Sequence, residues 1–279
     1  MSNLKLMHNR LFDGALVTSN APELLPATNL QIYDNSLVFR TNQLTNVIIR
    51  IKFDSPQYVS GLVPRDHNLS PFATIQWRGF ESDDFTGEPV LDTGEEQALP
   101  IKPLDENIWG IDDLGASIFD QWDNSKKSVE FWVKETAVHT QEIIINDPQN
   151  PAGFIDINRI YNGLALTPRV NFSYNAKLDF VSTDDTGIGT ADGSYHTRDE
   201  DEYRIADIDL KWVDEADRPL FVNFFRNVKH HQDFYVSLYP NASPQKSITH
   251  AFAGKILGNR SITNAFYNNF RIPLKIREA

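Results

Sequence analysis

Four residues in the first third of the chain have side chains suited to sugar recognition. His67 and Asn68 are adjacent, as are Trp77 and Arg78. An aromatic face with planar polar partners is the usual chemistry of a saccharide site. The competing interpretation is structural and is the one we favour. Trp77 lies in an apolar run typical of a strand, and His67-Asn68 sits where a buried polar turn closes a sheet edge.

Two further groups of residues have side chains that bind metals. Lys229-His230-His231 contains the only adjacent histidines, but neighbours on a helix or strand point in different directions, so zinc would need another ligand. Asp184, Asp185, Asp192 and the run 199–201 offer oxygens for calcium, without the spacing of a helix–loop–helix calcium site. We expect a solvated helix end and a solvated loop, and no metal or other cofactor.

The sequence lacks the residues and motifs of several enzyme classes. It has no cysteine, which excludes a thiol nucleophile, a disulfide framework and Cys-ligated zinc. It has no Gly-x-Ser-x-Gly, His-Glu-x-x-His, phosphate loop or dinucleotide fingerprint. Its many carboxylates could include the two acidic residues that a glycosidase uses, but nothing in the sequence singles out such a pair. We therefore expect no catalytic residues and no enzymatic activity.

The acidic charge is confined to one segment. The chain of 279 residues has 26 Lys and Arg, 38 Asp and Glu and a net charge of −12. The segment 81–123 holds 13 acidic residues and a single Lys, while the other 236 residues hold 25 basic and 25 acidic groups. Such a chain is a poor candidate for sequence-specific nucleic-acid binding, which needs clustered cations.

We interpret residues 81–123 as an excursion from a sheet, because Pro and Gly interrupt it throughout. It provides solubility, docks a basic partner, or lines a channel from which it repels DNA. We favour solvation with some docking. The candidate docking residues are Asp83, Asp84, Glu95, Glu96, Asp112 and Asp113.

Short apolar runs with a period of two predict the elements that would position these residues. In the first half they are Val47–Phe53, Tyr58–Val63, Ala73–Arg78, Ser128–Lys134, Thr140–Ile145 and Phe154–Tyr161. Many short strands separated by turns favour a mainly β protein with an antiparallel sandwich.

The second half combines strands with one helix. We predict strands at Val170–Tyr174, Leu178–Val181, Tyr203–Trp212 with a bulge at Ala206-Asp207, Phe234–Tyr239, Phe252–Leu257 and Phe270–Ile276. A helix is predicted near 215–228, capped by Asp214, with Pro219 in its first turn.

The order of several motifs in the first half resembles a known domain. Asn29-Leu30, Phe39-Arg-Thr41, the strand 47–53, His67-Asn-Leu-Ser70, Thr74–Gly79 and the run 143–163 are similar to the discoidin-like, galactose-binding-like jelly roll of tailed-bacteriophage structural proteins. The resemblance implies a jelly-roll β-sandwich over residues 1–172, interrupted by the excursion.

Residues 173–279 resemble, more loosely, the ring-forming β domain of distal tail and baseplate proteins, in which a sheet packs on one helix. The resemblance implies a virion subunit at the tail tip, made in the host cytoplasm. It would form a ring, expected to be a hexamer, with tail-tube and baseplate proteins as neighbours, and hold fibres or receptor-binding proteins. One departure is the order of the domains, because the ring domain often comes first in distal tail proteins.

The alternative function is a carbohydrate-binding module that contacts host surface glycans. The first residues are polar and no run approaches the roughly 18 apolar residues of a membrane span, so we expect neither a secretory signal nor a span.

Overall fold

The computed structural model describes residues 3–100, 127–182, 188–189, 195–196, 202–229, 231–241 and 244–279. The predicted mainly β, jelly-roll fold class is confirmed: the described chain forms a nine-stranded sheet, a seven-stranded sheet and a two-stranded ribbon. None of its helices is long and apolar enough to cross a membrane.

The elements of the first half are short helices and mostly antiparallel strands. The strands are β1 (Lys5–His8), β2 (Leu16–Ser19), β3 (Glu23–Leu25), β4 (Phe39–Thr41), β5 (Val47–His67), β6 (Thr74–Phe80), β7 (Leu91–Asp92), β8 (Glu96–Gln97), β9 (Phe131–Asn146) and β10 (Ile155–Gly163). The helices are α1 (Arg10–Asp13) and a 3₁₀ helix (Ala27–Gln31).

The second half continues with strands around one longer helix. The strands are β11 (Lys177–Ser182), β12 (Ile188–Gly189), β13 (Tyr195–His196), β14 (Glu202–Asp214), β15 (Phe234–Ser237), β16 (Ala251–Ile256), β17 (Thr263–Phe266) and β18 (Asn269–Glu278). The helices are α2 (Arg218–Val228) and α3 (Pro244–His250).

Two long strands build both layers of the sandwich. The first part of β5 pairs with β2 and with the end of β9, which continues to β6. The last part of β5 pairs with β10, which continues to β4 and β3. The register between β5 and β9 shifts twice, after Lys52 and after Val59, where a bulge bends a strand. The predicted strands Val47–Phe53 and Tyr58–Val63 are therefore both parts of β5. In the same way, the predicted strands Ser128–Lys134 and Thr140–Ile145 both contribute to β9.

The seven-stranded sheet includes the N-terminus of the chain. Its order is β1-β15-β16-β18-β14-β11, with β17 beside β18. Lys5 to His8 pair with Ser237 to Phe234. The sandwich formed by β2 to β10 is therefore an insertion between β1 and the later strands of this sheet. A boundary near residue 172 stays a prediction, but β1 lies in the sheet of the second half.

Helix α2 packs its apolar side on one face of this sheet. Phe221, Phe224, Phe225 and Val228 are buried, and they share a core with Leu4 and Leu6 of the N-terminal segment. The helix begins at Arg218 rather than 215, because Pro219 restricts the first turn. The residue at the N-cap is Asp217 and not the predicted Asp214, whose carboxylate instead accepts a hydrogen bond from the backbone of Asp217 at 2.8 Å.

Two details of the second half differ from the sequence prediction. Val170–Tyr174 is not a strand but an irregular segment, where Ser173 donates from its backbone to Asp209. The bulge in β14 lies between Leu210 and Val213, not at Ala206-Asp207. Ala206, Ile208 and Leu210 therefore face the core, and Trp212 is 59% exposed.

The place of β1 in the second core predicts different costs for two leucines. Leu6→Ala removes a side chain 1% exposed beneath α2, so the free energy of unfolding should fall by about 2–5 kcal/mol. Leu16→Ala in β2 is the control, because Leu16 is 63% exposed and its loss should cost less than about 0.5 kcal/mol. Urea unfolding measures both, and equal effects would contradict this packing.

Candidate functional site

Trp77 is fully buried in the sandwich. Its indole Nε1 donates to Gln141 Oε1 at 2.7 Å, and Gln141 is hydrogen-bonded in turn to Asn162. The backbone N–H of Asn162 then donates to Asn9 Oδ1 at 2.8 Å. Trp77 has no face available to a sugar, and it begins a polar chain that crosses the sandwich toward β1.

Of the other three predicted sugar contacts, His67 is buried, and Asn68 and Arg78 have partners within the chain. Burial lowers the pKa of the His67 imidazole to about 3, so the ring is neutral at physiological pH. Asn68 is bonded through its side chain to the backbone of Phe154 and Asp156, which closes the edge of β5 and β10. Arg78 lies 3.5 Å from Asp92. His67 and Trp77 therefore expose almost no surface to a ligand, and a sugar site at these four residues stays a prediction.

Part of the predicted acidic docking surface lies among the described residues. Asp83, Asp84, Glu95 and Glu96 are all exposed. The Asp84 carboxylate accepts from the Thr86 hydroxyl at 2.6 Å, and this hydrogen bond is the largest cause of the lowered pKa of Asp84. Asp112 and Asp113 lie outside the described residues. The described residues 81–100 include regular secondary structure, because strands β7 and β8 pair with β6.

The predicted metal ligands fall largely outside the described ranges. The ligands that lie outside those ranges are His230, Asp184, Asp185, Asp192 and the run 199–201. Within the ranges that are described, no three His, Asp or Glu side chains converge to hold a metal ion.

The two sheets meet at a buried cluster of charges. Arg159 of β10 is 2% exposed, and its guanidinium lies 3.1 Å from Asp13 of α1 and 3.3 Å from Asp233, which precedes β15. The hydroxyl of Tyr161 donates to Asp233. Burial outweighs the attraction of Arg159 and raises the pKa of Asp13 to about 6. Elements from both sheets therefore share one ionic contact.

Glu130 forms a second polar contact across the same junction. Its carboxylate accepts hydrogen bonds from Trp132 at 2.8 Å, from Tyr235 at 3.0 Å and from Ser237 at 3.1 Å. Burial raises the pKa of Glu130, and the three hydrogen bonds oppose that rise. Between the two polar contacts lies a small apolar cluster composed of Met7, Val63, Tyr161, Tyr235, Ala251 and Ala253.

A groove of about 880 Å³ runs along this junction. It lies between α2 and β1 on one side and β5 and β9 on the other. Its polar lining consists of Lys5, His8, Arg10, Ser60, Glu135, Thr167, Asn223 and Asn227, and its apolar lining of Leu11, Val133, Leu164, Ala165, Leu166, Leu220 and Phe224. A concave site of this size with a few converging polar groups can bind a small molecule.

Asn227 organises one end of the groove. Its Oδ1 accepts from Arg10 at 2.7 Å, and its Nδ2 lies 3.3 Å from His8 Nε2. Burial is the main cause of the lowered pKa of His8, and the nearby Arg10 lowers it further. The imidazole lies beside the Phe224 ring, with 6.2 Å between the two ring centroids. Together these groups offer planar hydrogen-bonding partners above an apolar surface.

Sequence reasoning missed this groove because β1 was not recognised as a strand. The signal is short: Leu4 and Leu6 alternate with Lys5, as in a half-buried strand. Nothing local reveals that this strand joins β15, more than two hundred residues later.

Comparison with known proteins finds only distant structural likeness. No protein-family model matches the chain, and no curated protein matches it. Among solved structures, the chain is similar to a family 32 carbohydrate-binding module of Clostridium perfringens NanJ in complex with galactose (11% identity, 57% of this chain, 97% of that one, TM-score 0.36). It is also similar to a Streptococcus pneumoniae fucose-binding module (10%, 56% and 95%, TM-score 0.36) and to a fucolectin from striped bass, Morone saxatilis (13%, 74% and 71%, TM-score 0.37). TM-scores below 0.5 are too low to assign a function.

The raised pKa of Asp13 predicts a pH dependence of stability. The folded chain holds this proton more tightly than the unfolded chain, whose carboxyl has a pKa near 3.8. The contribution of Asp13 to the free energy of unfolding should therefore be present in acid and decline as pH rises from about 4 to about 6. Asp13→Asn should remove that decline, as measured by urea unfolding from pH 3.5 to about 7.5. The exposed control Asp54→Asn should keep it, and a wild-type profile in Asp13→Asn would contradict the assignment.

Proposed function

We propose that this protein is a non-catalytic structural subunit of the tail tip or baseplate of a tailed bacteriophage. Its seven-stranded sheet would close a ring with copies of the chain, expected to be a hexamer, beside tail-tube and baseplate proteins. The inserted sandwich would hold fibres or receptor-binding proteins. The subunit would reside in the virion after assembly in the host cytoplasm. The ordered sequence motifs support this proposal, and so does the pairing of β1 with β15, which makes the sandwich an insertion into the seven-stranded sheet.

The observation that carries the proposal is the difference between the two outer strands of the seven-stranded sheet. The edge of β1 is covered, since Leu6 and Leu166 exchange backbone hydrogen bonds of 3.0 and 2.8 Å and Leu4 donates to Asn171. The outer edge of β11 pairs with no strand of the described chain. Phe180 on β11 is 55% exposed. An open edge with an exposed aromatic side chain is a template for pairing with another chain.

This proposal predicts self-association that depends on β11. The purified chain should give a mass of several copies by light scattering, with rings visible in negative stain. Phe180→Lys places a charge on the edge and should weaken self-association by about tenfold or more, equivalent to about 1.4 kcal/mol. The matched control is Phe72→Lys, since Phe72 is 49% exposed and lies outside the strands of this sheet. A chain that stays monomeric alone and with tail proteins would exclude the ring.

A second candidate function, glycan binding, is favoured by the groove at the junction. Asn223, Asn227 and Arg10 supply planar polar groups, and Leu220, which is 51% exposed, supplies apolar surface. Planar polar groups beside apolar surface can hold a saccharide. It differs from the original candidate set, because Trp77 and His67 are buried within the sandwich.

Glycan binding predicts saturable binding of the full chain to immobilised host-surface glycans. Asn227→Ala should reduce that binding by about tenfold or more, because it removes the acceptor that holds Arg10. Tyr174→Ala is the control, since Tyr174 is 98% exposed and lines no part of the groove. Binding that is absent, or equally strong in both variants, would exclude the groove as a glycan site.

A further inference from the structure

The face of the seven-stranded sheet opposite α2 carries more cations than anions. The sandwich covers part of this face, at β15 and β16, where Lys255 lies over the Tyr33 ring, 4.6 Å from its centroid. Alternate residues of four neighbouring strands project from this face, on the side against which the sandwich packs. We define this basic face by its cations, which are Lys177, Lys211, Lys255, Arg271, Lys275 and Arg277. Three carboxylates share the face: Asp179, Asp207 and Asp209.

The carboxylates of the face neutralise only some of its cations. Arg271 lies 2.9 Å from Asp209, and Lys177 lies 2.9 Å from Asp179. Within the described chain, Lys255, Lys275 and Arg277 have no carboxylate within 4.0 Å. Arg277 instead lies over the Tyr203 ring, 4.1 Å from its centroid. A net positive face is unusual for a chain whose overall charge is −12.

A complementary surface lies on the sandwich. Seven acidic residues between positions 79 and 100 are exposed, and no Lys or Arg occurs in that stretch. We define this acidic surface by Glu81, Asp83, Asp84, Glu88, Asp92, Glu95 and Glu96. Only two of them have a cation within 4.0 Å among the described residues, Asp83 with Lys52 and Asp92 with Arg78.

Among the described residues, no ion pair joins these two surfaces within one chain. The acidic surface flanks β6 at an edge of the nine-stranded sheet, whereas the sandwich packs on the second sheet through Val63 of β5 and Tyr161 of β10. Complementary surfaces at different places on one subunit produce head-to-tail contacts, which close into a ring when the rotation permits.

We propose that the basic face docks the acidic surface of a second copy of this chain. This inference rests on the proposed ring and identifies the contact that would orient each subunit on its neighbour. Charge complementarity selects a second copy as the occupant, because the chain itself supplies both surfaces. A nucleic acid is disfavoured, because the three carboxylates on the face and the acidic sandwich would repel phosphate.

The test uses the full chain and paired charge reversals. Lys275→Glu with Arg277→Glu reverses part of the basic face, and Glu95→Lys with Glu96→Lys reverses part of the acidic surface. Each double variant alone should lose self-association, whereas an equimolar mixture should regain the wild-type mass, since each contact then joins opposite charges. Wild-type association should weaken between about 0.1 M and about 1 M salt, where the screening length falls from ~10 Å to ~3 Å. Light scattering at matched concentrations measures all of these.

The control carries the same charge change elsewhere. Lys134→Glu with Arg226→Glu alters two exposed cations outside the basic face and should leave the mass unchanged. Recovery in the mixture shows that both variants are folded. Assembly that ignores salt and both reversals would overturn this docking contact and leave the ring proposal standing. A chain that is monomeric in every condition would overturn both.

Discussion

The guanidinium of Arg159 is the contact on which the arrangement of the two sheets depends. It is buried between Asp13, which follows β1, and Asp233, which precedes β15, while Arg159 itself belongs to the inserted sandwich. Removing a charge from water is costly, and a buried pair recovers that cost only when its geometry is good. Loss of one partner typically costs about 3–5 kcal/mol, because it leaves a charge uncompensated. Any rotation of the sandwich against the second sheet would incur such a cost.

The hydrogen bonds at the junction oppose sliding of the two sheets, which the small apolar contact alone would not prevent. The apolar cluster there is small and includes two alanines, so burial alone would allow the sheets to slide. Hydrogen bonds to Glu130 and the chain from Trp77 through Gln141 and Asn162 to Asn9 oppose this sliding. Trp77, Gln141, Asn162 and Asn9 are buried, and an unmade buried hydrogen bond costs about 1–3 kcal/mol. The groove takes its shape from this fixed register, because its walls come from opposite sides of the junction.

Local patterns in the sequence predicted the local structure well. The alternation from Val47 to Phe53 and the helical spacing of Phe221, Phe224, Phe225 and Val228 correspond to β5 and α2. These patterns work because one face of each element is buried and the period follows from backbone geometry. They contain no information about which distant elements pair. The place of β1, and with it the groove and the Arg159 cluster, depends on contacts between residues far apart in the chain.

The candidate sugar residues illustrate the same limit for function. Trp77 and His67 have the right side chains, but exposure decides whether a side chain can meet a ligand, and exposure follows from the tertiary fold. In the sequence, an aromatic residue within an alternating strand is equally compatible with a core and with a binding surface. The structure identifies Trp77 as a core residue, because its indole N–H donates to the buried Gln141. The groove residues Lys5, His8 and Arg10 gave no such signal, since they sit in a polar N-terminal stretch.

The net charge of −12 combines an acidic segment with a basic face elsewhere on the molecule. The excess carboxylates belong to the sequence segment 81–123, of which the described residues 81–100 lie on the sandwich, and cations collect on the second sheet. Charges on two loosely linked domains would average over many orientations, and their complementarity would have no direction. The buried ionic junction prevents that averaging, because it fixes the sandwich and the sheet in one orientation. The costly burial of Arg159 and the directional charge of the surface are therefore parts of one physical arrangement.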